Sequence, residues 1–188
     1  MFPNWFARSA EFNFIDHLSS YANKPNLRYL QLGAYTGDAT CWLLDHILTN
    51  PSSTLTDVDT WRGSDEAAHH QVNFDEVLTH YRARVKKYPN LTTVRGTTVE
   101  YLRTAPAEHF DFIYIDADHT TIGVILDAEL SWPALKRGGI LAFDDLTWRE
   151  TWEREDLHPA PAIEMFKHRH RGEFEVLAEN TQLWLRKK

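Results

Sequence analysis

One cysteine, Cys41, stands among 188 residues, so no disulfide can close within the chain. That excludes a disulfide-built scaffold, fits a reducing compartment and sets the expectation of a cytoplasmic protein. No apolar run approaches the roughly 20 residues that cross a bilayer. The opening Met1-Phe2-Pro3-Asn4-Trp5-Phe6-Ala7-Arg8 has neither the apolar centre nor the cleavage pattern of a signal peptide. Glycine and proline, eight of each, are too few for a linker or a low-complexity chain. Positive charge is also short: 20 Lys and Arg face 27 Asp and Glu, for a net charge of −7. A phosphate backbone needs a concentrated basic face. The nearest approach to one, Lys167-His168-Arg169-His170-Arg171, reads as a helix end complementing its dipole. Neither membrane nor nucleic acid is therefore expected as a partner.

Hydrophobic residues make up 43% of the chain, and its length suits one domain spanning 1–188. Short apolar runs alternate with longer amphipathic segments, the pattern of β/α units around a mostly parallel sheet. A helical extension over 1–26 is expected to start at a Ser9 cap and to carry Phe12, Ile15 and Leu18 on one face. Strands are predicted at 27–32, 54–59, 91–95, 110–116 and 140–143, with Gly138-Gly139 turning into the last. Helices are predicted over 38–48, 75–88, 99–103, from Ile122 to near Pro133, and over 162–169. Strands 174–178 and 182–186, joined by a tight turn at Asn180, form a closing antiparallel hairpin. The polar, aromatic stretch 146–161, with Trp148, Arg149, Trp152 and Arg154, is a candidate substrate-covering loop or an anchored surface loop.

Gly33 and Gly37 in Gln31-Leu32-Gly33-Ala34-Tyr35-Thr36-Gly37 fall where a strand passes into a helix. Such a turn aims backbone N–H groups and a helix N-terminus into the crevice above the strand. The loop is neither the G-x-G-x-x-G of a dinucleotide site nor a Walker loop, because Asp38 rather than Lys follows Gly37. An acid there repels phosphate, so the loop suits a nucleoside without phosphates, S-adenosylmethionine first. Two turn glycines joining strand to helix would look the same. Asp59, closing the second strand, can accept both ribose hydroxyls, and it is preferred over Asp57, which lies deeper in the strand. Trp61 can stack on adenine or belong to the core. Gly96-Thr97-Thr98 offers small donors to the adenine edge.

These segments, with Phe110 to His119 and Gly138-Gly139-Ile140-Leu141-Ala142-Phe143-Asp144-Asp145, stand in an order that resembles the class I S-adenosylmethionine-dependent methyltransferases. Within them the chain is most similar to metal-dependent O-methyltransferases acting on sugars of macrolide and aminocoumarin antibiotics. The resemblance runs from about Leu27 to Trp148. It implies an α/β, Rossmann-like fold with a mostly parallel seven-stranded sheet, an antiparallel C-terminal hairpin and helices on both faces. One position departs from the pattern: Gln31 stands where the family carries an acid that holds the cofactor's amine end. The expected cofactor contacts are Gln31, Gly33, Tyr35, Thr36, Gly37, Asp59, Trp61, Thr97, Thr98 and Asp116.

Asp116 closes one predicted strand, and Asp144 and Asp145 close its neighbour, about 5 Å away across the sheet. Three carboxylates converging there repel one another unless a proton or a cation intervenes. Oxygen ligands suit Mg²⁺ or another divalent cation, and the resemblance implies the same set, Asp116, Asp144 and Asp145. Because successive strand residues face opposite ways, Asp144 and Asp145 can share a metal only if the strand ends there. Turn capping is the alternative use of these acids. With a metal, the chemistry is methyl transfer to the hydroxyl of a small molecule, with Asp118 or His119 as base and Asp118 slightly preferred. Two other readings stay open: a cofactor- or partner-binding domain without catalysis, which Gln31 keeps alive, and a metal-independent methyltransferase. Zinc is disfavoured, because His69-His70 and His168/His170 are poorly spaced and no cysteine joins them. The first helix and the last hairpin are the candidate surfaces for a homo-oligomer.

Overall fold

The computed structural model describes residues 2–151 and 154–188. Its strands are β1 (Arg28–Leu32), β2 (Thr54–Asp59), β3 (Leu91–Arg95), β4 (Phe110–Ile115), β5 (Leu135–Phe143), β6 (Phe174–Glu179) and β7 (Leu183–Lys187). They form one sheet in the order β3-β2-β1-β4-β5-β7-β6. The first five are parallel, and β7 runs antiparallel to both β5 and β6. This is the expected Rossmann-like class I arrangement. The strand order reverses between β1 and β4, and that reversal opens a crevice above their C-terminal ends.

Helices cover both faces: α1 (Phe6–Ser9), α2 (Glu11–Leu18), α3 (Asp38–His46), α4 (Phe74–Val85), α5 (Thr98–Leu102), α6 (Thr121–Ala134) and α7 (Pro159–Arg169). Alternation along the strands divides the core. Leu30, Leu32, Ile113, Ile115, Leu141 and Phe143 pack with α5, α6 and α7. Tyr29, Phe112, Tyr114, Ile140, Ala142 and Trp184 face the other way and pack with α2 and α3. Several helices begin on caps written in the sequence. Asn73 accepts from the N–H groups of Asp75 and Glu76, Thr97 and Glu100 form a capping box, and Thr120 accepts from Gly123.

The N-terminal segment departs from expectation. It is two helices, not one from Ser9, and the residue before α2 is Ala10, which has no side-chain cap. The Ser9 hydroxyl donates instead to the Trp5 carbonyl. The inward face is Ala10, Phe14 and Leu18, an i, i+4, i+8 stripe, while Phe12 and Ile15 are 46% and 48% exposed. Phe14 wins the core position because Phe112, Tyr114 and Trp184 present ring edges to it at 5.0–5.8 Å. Gly138-Gly139 also lies inside β5 rather than before it. The pairing with β4 jumps from Phe110–Leu135 to Phe112–Ile140, so the glycines form a bulge.

Candidate active site

A cavity of about 950 Å³ occupies the crevice, within the range of small-molecule sites. Of the expected residues, Gln31, Gly33, Tyr35, Thr36, Asp59, Thr97, Thr98, Asp116, Asp118, His119, Asp144 and Asp145 line it. Gly37 and Trp61 do not.

The loop after β1 explains both exceptions. Gly37 caps α3 at φ +80°, and a Cβ there would lie 2.9 Å from the Tyr81 ring, so this glycine serves packing against α4. Trp61 is a core residue: it is 2% exposed, with its ring 4.7 Å from that of Tyr81 and its indole N–H donating to the Tyr35 carbonyl. It braces the loop from behind and cannot stack on a ligand. Gly33, at φ +86°, is needed for a different close approach. A Cβ there would fall 1.8 Å from the Asp116 carbonyl oxygen, so only glycine lets the ends of β1 and β4 meet.

Asp59 ties the loop to β2. Its Oδ2 accepts from the N–H groups of Ala34 and Tyr35 at 2.8 and 2.9 Å, and its Oδ1 accepts from Trp61 N–H at 2.6 Å. The carboxylate organises the loop as well as facing the cavity. Gln31 is buried, and its amide donates to the Gly33 carbonyl at 2.8 Å. Asp38 accepts from the Thr36 hydroxyl and from the Arg84 guanidinium, so the charge behind the loop is matched. Asp57 lies two residues deeper in β2, buried in the core. Burial pushes its carboxyl up to about 7 despite hydrogen bonds from Thr40 and Tyr81.

At the β4–β5 end, the expected trio is rearranged. Asp116, His119 and Asp145 bring ligand atoms within 4.8 Å of one another. His119 Nε2 lies 3.0 Å from Asp145 Oδ2 and 3.7 Å from Asp116 Oδ1. Asp144 lies outside this group: its Oδ2 accepts from the Tyr114 hydroxyl at 2.7 Å and its Oδ1 from the Gln182 amide at 2.9 Å. The reason is backbone geometry. β5 ends at Phe143, and Asp145 takes φ +56°, which departs from the strand's alternation, while the Asp144 carboxylate meets the buried Tyr114 and Gln182 side chains. Asp118 is exposed, and its Oδ1 accepts from Thr120 N–H at 2.9 Å, an Asx turn leading into α6.

Burial and the neighbouring Asp144 carboxylate hold Asp116 well above the ordinary carboxyl range, with His119 pulling the other way. Burial, with Asp145 beside it, raises Asp144 to about 6. Burial alone would lower His119, but the carboxylates of Asp116, Asp145 and Glu66 around its ring outweigh that and hold it well above 6.5. The imidazolium thus stands in for missing positive charge among carboxylates. Two carboxylates and an imidazole within reach of a common point are a donor set that fits a divalent cation.

Sequence reasoning missed Glu66 and Trp5. Glu66, 5% exposed, places Oε1 3.1 Å from His119 Nδ1. It sits in the aperiodic stretch Gly63 to His70, where only its acidity among small residues gave a signal. Trp5 of the N-terminal segment stacks on Tyr35 with ring centres 4.9 Å apart and lines the cavity mouth. Opposite, Trp148 lies 4.9 Å from the His119 ring, and Glu150 accepts from Ala67 N–H at 2.9 Å. Arg154 reaches Asp65 at 2.9 Å, which joins this loop to the one after β2. Trp152 lies outside the described residues.

The fold is shared with solved structures. MycE, a methyltransferase of mycinamycin biosynthesis in complex with Mg and SAH, matches with a TM-score of 0.63 and 14% identity over 100% of this chain; the chain spans 50% of MycE. A SAM-dependent methyltransferase from Aquifex aeolicus gives 0.62 and 12% over 98% of this chain and 93% of that one. A proposed O-methyltransferase from Klebsiella pneumoniae gives 0.58 and 15% over 86% and 73%. No curated protein sequence matches the chain. A family model described as a methyltransferase domain matches residues 30–146, from β1 through the end of the acidic cluster. By that match the chain belongs to the methyltransferase-domain family.

Proposed function

We propose that this protein is an S-adenosylmethionine-dependent O-methyltransferase acting, with a divalent cation such as Mg²⁺, on a hydroxyl of a small molecule such as a sugar or natural product. One observation carries the reading: a glycine-turn wall suited to an uncharged nucleoside and a carboxylate–imidazole cluster open into the same cavity. Among the described residues no lysine lines the cavity, and the nearby Arg84 is engaged by Asp38, which favours a ligand without phosphates. The neighbour crystallised with Mg and SAH supports pairing these two ligands.

Asp116 and Asp145 would hold the cation. When bound, it supplies positive charge that lowers the pKa of an adjoining hydroxyl. With a cation neutralising Asp116 and Asp145, the charge that keeps His119 protonated would fall, and its Nε2, left outside the cation's ligands, would take the hydroxyl proton, with Glu66 3.1 Å from Nδ1 on the far side of the ring. Asp118, the preferred base on sequence grounds, ranks second here because its carboxylate is engaged by the turn. When bound, S-adenosylmethionine would supply an electrophilic methyl whose C–S bond breaks as the C–O bond to the acceptor forms, giving S-adenosylhomocysteine, with the hydroxyl proton left on His119. Trp5 and Trp148 offer aromatic faces at the mouth for the acceptor's ring.

The test is methyl transfer from S-adenosylmethionine to a panel of hydroxylated sugars and phenols, with Mg²⁺ or with a chelator. Cation-dependent O-methylation supports the reading. Turnover unaffected by chelation moves it to metal-independent transfer, and cofactor binding without transfer to any acceptor moves it to a non-catalytic domain.

A further inference from the structure

The side of the cavity above β3 carries features that methyl transfer itself does not use. Asp127 on α6 is 1% exposed yet belongs to the cavity wall. Its Oδ1 accepts a hydrogen bond from the Thr98 hydroxyl, and its Oδ2 is buried without a hydrogen-bond partner. Thr98 is therefore the one hydrogen-bond donor to this carboxylate among the described residues. Thr97, next to it, is spent: its hydroxyl accepts from Glu100 N–H and donates to the Glu100 carboxylate. Two large apolar side chains of α6, Ile122 and Leu126, are 71% and 43% exposed and also line this side of the cavity. Exposed aliphatic groups flanking a polar edge suit the faces of a flat heterocycle.

The strand order places this patch. The glycine turn stands over β1, Asp59 over β2 and Thr98 just beyond β3, so a nucleoside whose ribose lies near Asp59 carries its base toward Thr98. We propose that Asp127 is a positioning residue that sets the polarity of the Thr98 hydroxyl, making it a hydrogen-bond acceptor that selects a 6-aminopurine over a 6-oxopurine. The inference rests on the nucleoside-cofactor reading above. A hydroxyl has one proton. With that proton committed to the carboxylate, Thr98 Oγ1 offers only lone pairs to the cavity. Adenine presents an N–H at its 6-position and is accepted, whereas hypoxanthine presents a carbonyl oxygen and meets lone pair against lone pair. Sites built to hydrogen-bond one partner reject an analogue that leaves the group unpaired. Thr98 thus acts as an acceptor here, the reverse of the donor role that its side chain alone suggests.

Burial pushes the Asp127 carboxyl up to about 7, with Thr98 opposing and Asp118 the charged neighbour, so the test is run at pH 8. S-Adenosylhomocysteine and S-inosylhomocysteine are titrated calorimetrically into the full chain. The wild-type protein is expected to prefer the adenosyl compound by roughly tenfold to hundredfold, the range of one buried hydrogen bond. Asp127→Asn, whose amide can donate to Thr98 and free its proton, should bring the ratio near one or invert it. Thr98→Val should abolish the preference, and Thr98→Ser should restore it. Circular dichroism confirms that each variant is folded before its ratio is read. Equal binding of both compounds by the wild type, or an unchanged ratio in Asp127→Asn and Thr98→Val, overturns the inference and leaves the cofactor reading standing. Failure of the wild type to bind S-adenosylhomocysteine overturns both.

Discussion

At the β1–β2 end of the cavity, charge is matched before any ligand arrives, whereas at the β4–β5 end it is left in surplus. Asp59 accepts three backbone N–H groups, Asp38 meets Arg84, and the Gln31 amide is closed onto the loop. Around His119, by contrast, stand Asp116, Asp145 and Glu66, with Asp144 raised to about 6 by burial and the Asp145 charge. The first end is rigid and electrically quiet, as suits an uncharged adenosyl group. The second carries repulsion that a cation relieves. Under the proposed function the contrast puts donor binding and acceptor activation on separate walls, so variants at one end should leave the other's function intact.

The sharpest way to break that separation is Asp145→Ala. Losing a cation ligand should lower kcat/KM by at least about 10³-fold while S-adenosylhomocysteine affinity changes little. An equal loss in both would show the ends to be one unit. His119→Ala should cost about 10²–10³-fold in kcat, again without a change in cofactor affinity, as read by steady-state kinetics beside calorimetry.

Gly33→Ala tests the junction between the walls. A methyl 1.8 Å from the Asp116 carbonyl, on a left-handed backbone, should destabilise the fold by about 2–4 kcal/mol in denaturant unfolding and weaken both functions. A variant of unchanged stability would mean that β1 and β4 are not held together as described.

Asp57 gives the smallest and most local prediction. Burial raises its carboxyl to about 7 in the fold, far above the ordinary carboxylate value of 3.8, so between these values the native state holds a proton that the unfolded chain has released. Its contribution to stability is therefore largest at low pH and is lost as pH rises from about 4 through 7. Asp57→Asn keeps an acceptor for Thr40 and Tyr81 without the charge, and its melting temperature should vary less over that window than the wild type's. Equal slopes would remove Asp57 as the cause.

How far the sequence could be read follows from the range of the forces involved. The run Phe110 to Ile115 and the turn at Gly33 are legible because apolar continuity and a strand-to-helix glycine are local signals. Asp116 and Asp145 are placed by strand ends. What failed depends on the direction of single side chains. Asp144 and Asp145 are adjacent in sequence but diverge because the strand ends at Phe143 and Asp145 takes a left-handed φ of 56°. Trp61 is open in sequence to stacking on adenine or to a place in the core, and the structure buries it, at a positive φ of 47°. Glu66 comes from an irregular segment with no period to follow, and the N-terminal helices hid their inward face because Phe12 and Ile15 are as apolar as Phe14.

The central claim is that cofactor and cation share one cavity, and paramagnetic relaxation reads it directly. Mn²⁺ is added to the protein saturated with S-adenosylhomocysteine, and the line widths of the ligand's protons are followed by NMR. Strong broadening in the wild-type protein, lost in Asp116→Ala and Asp145→Ala variants that still bind the ligand, is the predicted result. Bound ligand whose resonances stay sharp at saturating Mn²⁺ would contradict the account.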